Sequence, residues 1–251
     1  MKLKAPAKIN LCLDVLKKDK SGYHIIQTVY QEIKDLADEI EIISTKNKDI
    51  IEPFHPPKIK TAFYPQKSDD LIYKALMLIK ETFKIKKFVK IKIKKNIPFA
   101  SGLGGGSSDA AAILKGLNKL WKLRLSKSSL ADLGAKLGMD VPFFIYGGTA
   151  LGEHYGEKIT KLPTIKNIKF KIYPGKTPLI SQKTQTAYQK LSLKKCGQNL
   201  FKTKILIQGI KTKNKKLIIE NLHNDFETVT KVSIDHHLSG AGPTTFTVRA
   251  L

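Results

Sequence analysis

Apolar and polar residues alternate with period two from Ala5 to Leu16, placing Ile9, Leu11, Leu13 and Val15 on one strand face and Lys8, Asn10 and Asp14 on the other. Glu39 to Ser44 has the same strand character, whereas 47–65 is broken by prolines and charges and reads as irregular. Ser68-Asp69-Asp70 then supplies an N-cap for a helix carrying Leu71, Ile72, Ala75, Leu76 and Ile79 at helical spacing. Val89, Ile91 and Ile93 alternate with Lys90, Lys92 and Lys94, which predicts a half-exposed strand. A helix is predicted from Ser107, with Ala111, Ile113, Leu114, Leu117 and Leu120 inward and Trp121 and Leu123 packing at its end. Leu130 to Leu137 predicts a second, shorter helix. Beyond Gly152 the pattern restarts with a strand at Ile168, Phe170 and Ile172, a helix over 184–191, helices across 204–227 and a closing strand with Phe246 and Val248.

The 251 residues, 41% of them hydrophobic, suffice for a proper core in one large or two modest domains. No apolar run approaches the ~18 residues of a membrane span, and the N-terminus lacks a signal-peptide pattern, so a cytoplasmic protein without a membrane partner is expected. Cys12 and Cys196 match no metal or redox spacing and read as reduced thiols. The formal charge of +24 suggests a polyanion partner. Only Arg124 and Arg249 are arginines, however, leaving 43 lysines spread over nearly every segment. Dedicated nucleic-acid sites lean on arginine for bidentate and stacking contacts, so no specific nucleic-acid partner is expected and the charge serves to gather anionic substrates.

The chemistry concentrates between Pro98 and Ala112, which reads Pro-Phe-Ala-Ser-Gly-Leu-Gly-Gly-Gly-Ser-Ser-Asp-Ala-Ala-Ala. Gly102, Gly104, Gly105 and Gly106 permit positive φ and close approach to a ligand, and the helix start that follows presents unpaired N–H groups and a positive dipole end. That combination is a cradle for a polyphosphate. It is not a Walker A loop, because five residues after Gly102 stands Ser107 and no lysine follows it, and the dinucleotide fingerprint fails at Ser107 too. A flexible glycine linker would be polar on both sides, whereas this stretch leads into an apolar helix.

The string resembles the Pro-x-x-x-Gly-Leu-Gly-Gly-Gly-Ser-Ser-Asp-Ala-Ala loop of the GHMP small-molecule kinases. Further strings agree with that family in order. Ala7-Lys8-Ile9-Asn10-Leu11 resembles its first motif. Gly138-Met139-Asp140-Val141-Pro142-Phe143 followed by Gly147-Gly148-Thr149-Ala150 resembles its catalytic-acid motif, and Ser239-Gly240-Ala241-Gly242-Pro243 its third. Gly22-Tyr23-His24 with Gln27-Thr28 resembles the branch whose substrate carries a cytidine, where an aromatic stacks the base and an imidazole bonds its edge. His223-Asn224-Asp225-Phe226-Glu227 is a further family-like string, and Lys183 to Tyr188 is a loose match, with Tyr188 either a second aromatic wall opposite Tyr23 or a packing residue.

The resemblance implies an α/β (α+β) protein with the GHMP kinase fold: an N-terminal domain like domain 2 of ribosomal protein S5 over 1–152 and a ferredoxin-like C-terminal domain over 153–251. It implies ATP and Mg²⁺. The ATP phosphates would lie on Pro98, Ser101, Gly102, Leu103, Gly104, Gly105, Gly106, Ser107, Ser108 and Asp109, with Ser107 or Ser108 assisting the metal. Asp140 would take the proton of the substrate hydroxyl, with Lys8 beside it, and Asn10, Tyr23, His24, Tyr188, Gly240 and Gly242 would meet the substrate. The expected protein is a monomer or homodimer. Mevalonate-type or homoserine-type kinases are alternatives that have no use for a stacking aromatic at Tyr23, and a degenerate nucleotide-binding relative is another. Two departures from the family pattern stand out. Asp70 precedes Leu71 where the family has asparagine, and only Thr228 to Leu238 separates two strings that the family spaces by several helical turns.

Overall fold

The computed structural model describes residues 1–54, 69–175 and 183–251, which form two compact units, each built from discontinuous stretches. The expected irregular stretch beyond residue 54 lies outside the described residues, as does the head of the Ser68-Asp69-Asp70 cap.

The first unit comprises Met1–Ala7, Ile33–Phe99 and Gly104–Tyr146. It takes its strands from the start of β1 (Lys2–Lys18), the later part of β2 (His24–Thr45), β3 (Ile50–Phe54) and β4 (Phe88–Lys94). β2 and β4 pair antiparallel from Glu39 opposite Lys94 to Thr45 opposite Phe88, and β3 runs parallel to β4. Residues 50–54 thus form a strand where an irregular segment was expected. The helices are α1 (Leu71–Thr82), α2 (Gly105–Leu120), α3 (Lys127–Ala135) and α4 (Val141–Tyr146). Asp70 caps α1 by accepting from the Ile72 amide at 2.9 Å. Ile40, Ile42, Val89, Ile91 and Ile93 are buried with Ile72, Leu76 and Ile79 of α1 and Leu114 and Leu117 of α2, each such side chain stabilising by roughly 1.5–3 kcal/mol. Gly116 lets α2 lie close on the sheet: a Cβ there would stand 2.6 Å from Ile42 Cδ1 and 2.7 Å from Leu3 Cδ1.

The second unit comprises Lys8–Glu32, Ala100–Leu103 and Gly147–Leu251. The first part of β2 pairs antiparallel with β5 (Thr149–His154), which pairs with β6 (Lys158–Leu162). A second sheet begins with β7 (Ile168–Tyr173). Helices α5 (Lys183–Lys190), α6 (Leu200–Thr212) and α7 (Lys215–Ile219) follow, and β8 (His223–Asn224) pairs parallel with β1 at Cys12 and Leu13. β9 (His237–Leu238) and β10 (Thr245–Ala250) complete the second sheet in the order β7-β10-β9. Between β8 and β9 the chain makes one 3-10 turn over Asp225–Thr228 and no further helix, so the short connection leads directly into the closing glycine loop. Among the described residues, no helix is long and apolar enough to cross a membrane.

Candidate active site

In the second unit, the polar face of β1 is buried. Lys8, Asn10 and Asp14 are as inaccessible as the leucines between them. A buried ammonium must be paired or hydrogen-bonded, and Lys8 Nζ donates to Asn10 Oδ1 at 2.6 Å and to the Gly102 carbonyl at 2.9 Å. Asn10 Nδ2 in turn donates to Thr28 Oγ1 at 2.8 Å, and that hydroxyl to the Cys12 carbonyl at 2.5 Å. Lys8 and Asn10, two residues apart and therefore on one face of the strand, are brought together as expected. Thr28 completes the line.

Gly102 has φ +85°, and a Cβ there would stand 2.2 Å from the Ser239 carbonyl oxygen and 3.1 Å from that of Gly242. Only glycine fits this crossing of the first and last glycine loops. Ser239 Oγ donates to the Gly102 carbonyl at 3.0 Å, and the Thr244 amide to the Ser101 carbonyl at 3.2 Å. Gly240 lies so near the lysine that a Cβ on it would be 3.3 Å from Lys8 Nζ. The loop from Ser239 to Gly242 is tied back to the residues ahead of the short connection: Asn224 Nδ2 donates to the Leu238 and Gly240 carbonyls, and Glu227 Oε1 accepts from the Leu238 amide at 2.8 Å.

In the first unit, α2 starts at Gly105, two residues earlier than the sequence pattern suggests, with Gly104 as its N-cap in the left-handed region. Its first helical hydrogen bond runs from the Ser108 amide to the Gly104 carbonyl, so the amides ahead of it open at the helix end. Ser108 Oγ and Asp109 Oδ1 are buried and have no hydrogen-bond partner among the described residues. An orphaned serine hydroxyl in the first turn of a 16-residue helix fits a phosphate- or metal-bound ligand that would satisfy it. Ser107 Oγ is 3.8 Å from where a Cβ on Gly138 would be, which puts the turn leading to Asp140 beside this helix start. Asp140 is half-buried in that turn, immediately before α4, and α4 is fixed by Lys115 Nζ donating to the Phe144 carbonyl at 2.9 Å.

The same unit holds a group that the sequence reading passed over. Lys95 Nζ is shared between Asp38 Oδ2 and Asp109 Oδ2, all three side chains being inaccessible. Asp38 Oδ1 also accepts from the Asn96 and Ile97 amides, the latter at 2.8 Å, and so fixes the segment that leads to Pro98. Burial, opposed by Lys95 and reinforced by the Asp38 charge, pushes the Asp109 carboxyl up to about 8. Burial works against the lysine charge, but the two carboxylates outweigh it and hold its pKa above the ordinary value. The signal was in the alternation: after Val89, Ile91 and Ile93, the next position on the buried face is Lys95, which must find a carboxylate.

In the second unit His24 stacks on Tyr188, with ring centroids 4.6 Å apart and planes 18° from parallel, and Tyr188 meets Phe226 edge-on at 4.9 Å. Tyr188, read in the sequence as either a wall opposite Tyr23 or a packing residue, thus packs on His24 and Phe226. Tyr23, 55% exposed, packs instead on Tyr155 at 5.3 Å, whose hydroxyl bonds Asp19 Oδ2. His24 and Tyr188 are long-range neighbours, and no local pattern could pair them. Burial and then the Lys18 charge lower the His24 pKa, so its ring is neutral at pH 7 and can both donate and accept.

Cys12, Asp14 and His223 also bring three potential ligand atoms within 4.8 Å of one another. Asp14 is held by Thr203 Oγ1 at 2.6 Å and His223 Nε2 at 3.0 Å, His223 Nδ1 meets the Asn221 carbonyl at 3.1 Å, and burial pushes the Cys12 thiol up to about 12. The carboxylate and imidazole are thus committed within the protein and the sulfur stays a thiol. The cluster is a polar strut between β1 and β8.

Residues 70–148 match the sequence model of the GHMP kinases N terminal domain. A 4-diphosphocytidyl-2-C-methyl-D-erythritol kinase of Caldicellulosiruptor saccharolyticus is 44% identical over 230 residues, covering 92% of this chain and 76% of the relative. A kinase of the same name from Alkaliphilus metalliredigens is 38% identical over 264 residues, covering 98% and 87% respectively. Among solved structures, a 4-(cytidine 5'-diphospho)-2C-methyl-D-erythritol kinase superposes with a TM-score of 0.75 at 25% identity, covering 98% of this chain and 89% of that one.

Proposed function

Because this chain belongs to the GHMP kinases, with 4-diphosphocytidyl-2-C-methyl-D-erythritol kinases as its relatives, we propose that it uses ATP to phosphorylate the 2-hydroxyl of 4-diphosphocytidyl-2-C-methyl-D-erythritol, a step of non-mevalonate isoprenoid precursor synthesis. The observation that carries the substrate assignment is the stacked His24–Tyr188 pair with Tyr23 exposed nearby in sequence. A cytosine ring finds an aromatic face and a neutral imidazole there, whereas mevalonate or homoserine has nothing to stack.

Phosphoryl transfer needs in-line positioning and charge neutralisation more than covalent chemistry from the protein. The glycines from Gly102 to Gly106 and the open amides of α2 hold the ATP phosphates. Asp140 orients the acceptor hydroxyl and takes its proton as the oxygen bonds the γ-phosphorus and the bond to the departing ADP breaks. Lys8 stabilises charge on the transferring group, and its contacts to Asn10 Oδ1 and the Gly102 carbonyl hold the ammonium in one place. Ser107 or Ser108, the latter with its orphaned hydroxyl, would hold Mg²⁺ directly or through water, and the ion supplies neutralisation of the phosphate charge. The Ser239–Gly242 loop, held by Asn224 and Glu227, opposes the reading of a degenerate relative. The same proposal includes a domain boundary near Gly152, a cytoplasmic location and a monomeric or homodimeric state.

The test is ADP release from Mg-ATP with 4-diphosphocytidyl-2-C-methyl-D-erythritol, mevalonate and homoserine in parallel, with Asp140→Asn as blank. Turnover with the cytidine substrate alone, lost in the blank, is expected; turnover with another acceptor, or with none, overturns the assignment.

A further inference from the structure

His223, Asn224 and Asp225 are consecutive and buried, yet each side chain anchors a different part of the second unit. His223 bonds Asp14 of β1. Asp225 Oδ2 accepts from the Val15 amide at 2.7 Å and the Gly197 amide at 2.8 Å. Asn224 alone faces the closing glycine loop. Its carboxamide accepts from the Phe226 amide at 3.0 Å through Oδ1, and Nδ2 donates to the Leu238 carbonyl at 2.9 Å and the Gly240 carbonyl at 2.8 Å.

We propose that Asn224 is a positioning residue for phosphoryl transfer, acting through Gly240 on Lys8. A primary amide presents an acceptor on one side and two donors on the other, and this site uses all three. Aspartate, its isostere, keeps the acceptor but turns a lone pair toward two carbonyls. The loop so held sits on the reacting end: Gly240 adjoins Lys8 Nζ, and Ser239 Oγ holds the Gly102 carbonyl, which also accepts from Lys8. With no helix formed over 229–238 to support it, the loop has its height over the lysine set by Asn224 and the Glu227–Leu238 bond. The inference rests on the proposed kinase reading for its kinetic consequence, but not for its structural one.

The experiment compares Asn224→Asp and Asn224→Ala with Asp225→Asn, a substitution in the same buried string that touches Val15 and Gly197 and leaves the glycine loop alone. In the kinase assay, both Asn224 variants are expected to lose at least thirtyfold in kcat while KM for the cytidine substrate moves less than threefold. Asp225→Asn keeps kcat within threefold. In amide hydrogen exchange, Asn224→Ala is expected to speed exchange at least tenfold at Ser239, Gly242 and Thr244, whose amides bond Thr244, Ser239 and Ser101 carbonyls, while Asp225→Asn leaves them unchanged. Near-normal kcat in Asn224→Asp, equal losses in Asp225→Asn, or unchanged protection of 239–244 in Asn224→Ala would each overturn the proposal. A wild-type protein inactive on every acceptor defeats the kinase reading instead, and the exchange experiment still decides whether Asn224 sets the loop.

Discussion

Asp38 and Asp109 both touch Lys95, yet their replacement by asparagine should have very different consequences. Fully ionised, the triad would carry a net charge of −1 out of reach of water, which a proton on one carboxyl removes. Asp38 accepts from the lysine and two backbone amides, so donors surround its oxygens. Asp109 accepts through Oδ2 only, its other oxygen has no partner among the described residues, and its carboxyl is pushed up to about 8, so at pH 7 it is mostly neutral already. Asp38→Asn breaks a buried pair and should cost about 3–5 kcal/mol. At about 2–4 °C per kcal/mol for a chain of this size, Tm falls by roughly 6–20 °C. Asp109→Asn replaces a carboxyl that burial keeps largely protonated by an amide of the same shape, which needs no proton on folding, so at pH 7 it should not lower Tm. Asp109 also sets a pH dependence. With its folded pKa above the unfolded value of about 3.9, the stability it carries is complete below that pH and is lost as pH rises toward 8. Asp109→Asn should therefore gain on the wild type as pH rises from about 4 toward 8 and gain no more above that. The assay is thermal unfolding followed by the fluorescence of Trp121, the only tryptophan, which is buried at the end of α2 in the same unit. Equal losses for the two variants, or a Tm difference between wild type and Asp109→Asn that stays flat with pH, would refute the reasoning.

Asp140→Asn should lower kcat about 10²–10⁴-fold, the range of a general base, with its Trp121 transition in place; near-normal turnover would remove the assignment. Lys8→Ala should lose a comparable factor in kcat, measured in the same assay. Gly102→Ala forces a Cβ to 2.2 Å from a backbone oxygen at φ +85°, so activity should fall at least about 100-fold through displaced glycine loops, and a normal KM for ATP with normal kcat would contradict this. Tyr188→Leu should raise KM for the cytidine substrate about 2- to 12-fold at unchanged kcat, the equivalent of one aromatic contact of about 0.5–1.5 kcal/mol.

The elements that position the site were legible because their signals are local. The alternation at 89–93, the Asp70 cap and the apolar stripe of α2 each follow from spacing, and the structure places all three as expected. The glycine string could be read as a phosphate cradle without the fold, since flexible backbone ahead of a helix start is itself the chemistry. What alternation cannot tell is whether the second face of a strand meets water. Lys8, Asn10 and Asp14 were assigned to a polar face, and the face proved to be interior because β1 has packed neighbours on both sides. Lys95 was legible in phase but not in partner, since Asp38 is 57 residues away. Stacking of His24 on Tyr188, and of Tyr23 on Tyr155, depends on pairings across more than 100 residues, beyond any local pattern. The short connection after Glu227 raised the question of a compromised C-terminal part. The hydrogen bonds of Asn224 and Glu227 to the loop show how that stretch is held without an intervening helix.

The central claim is tested most directly by the phosphorus NMR spectrum of the product formed from Mg-ATP and 4-diphosphocytidyl-2-C-methyl-D-erythritol. The carbon bearing the 2-hydroxyl also bears the methyl group and two carbon neighbours, so it has no hydrogen. Transfer to that oxygen predicts a new phosphomonoester resonance with no three-bond coupling to a proton, in equal amount to the diphosphate pair. A monoester signal split by a proton would place the phosphate on another hydroxyl, and inorganic phosphate beside ADP with no new monoester would mean that water, not this substrate, accepts it.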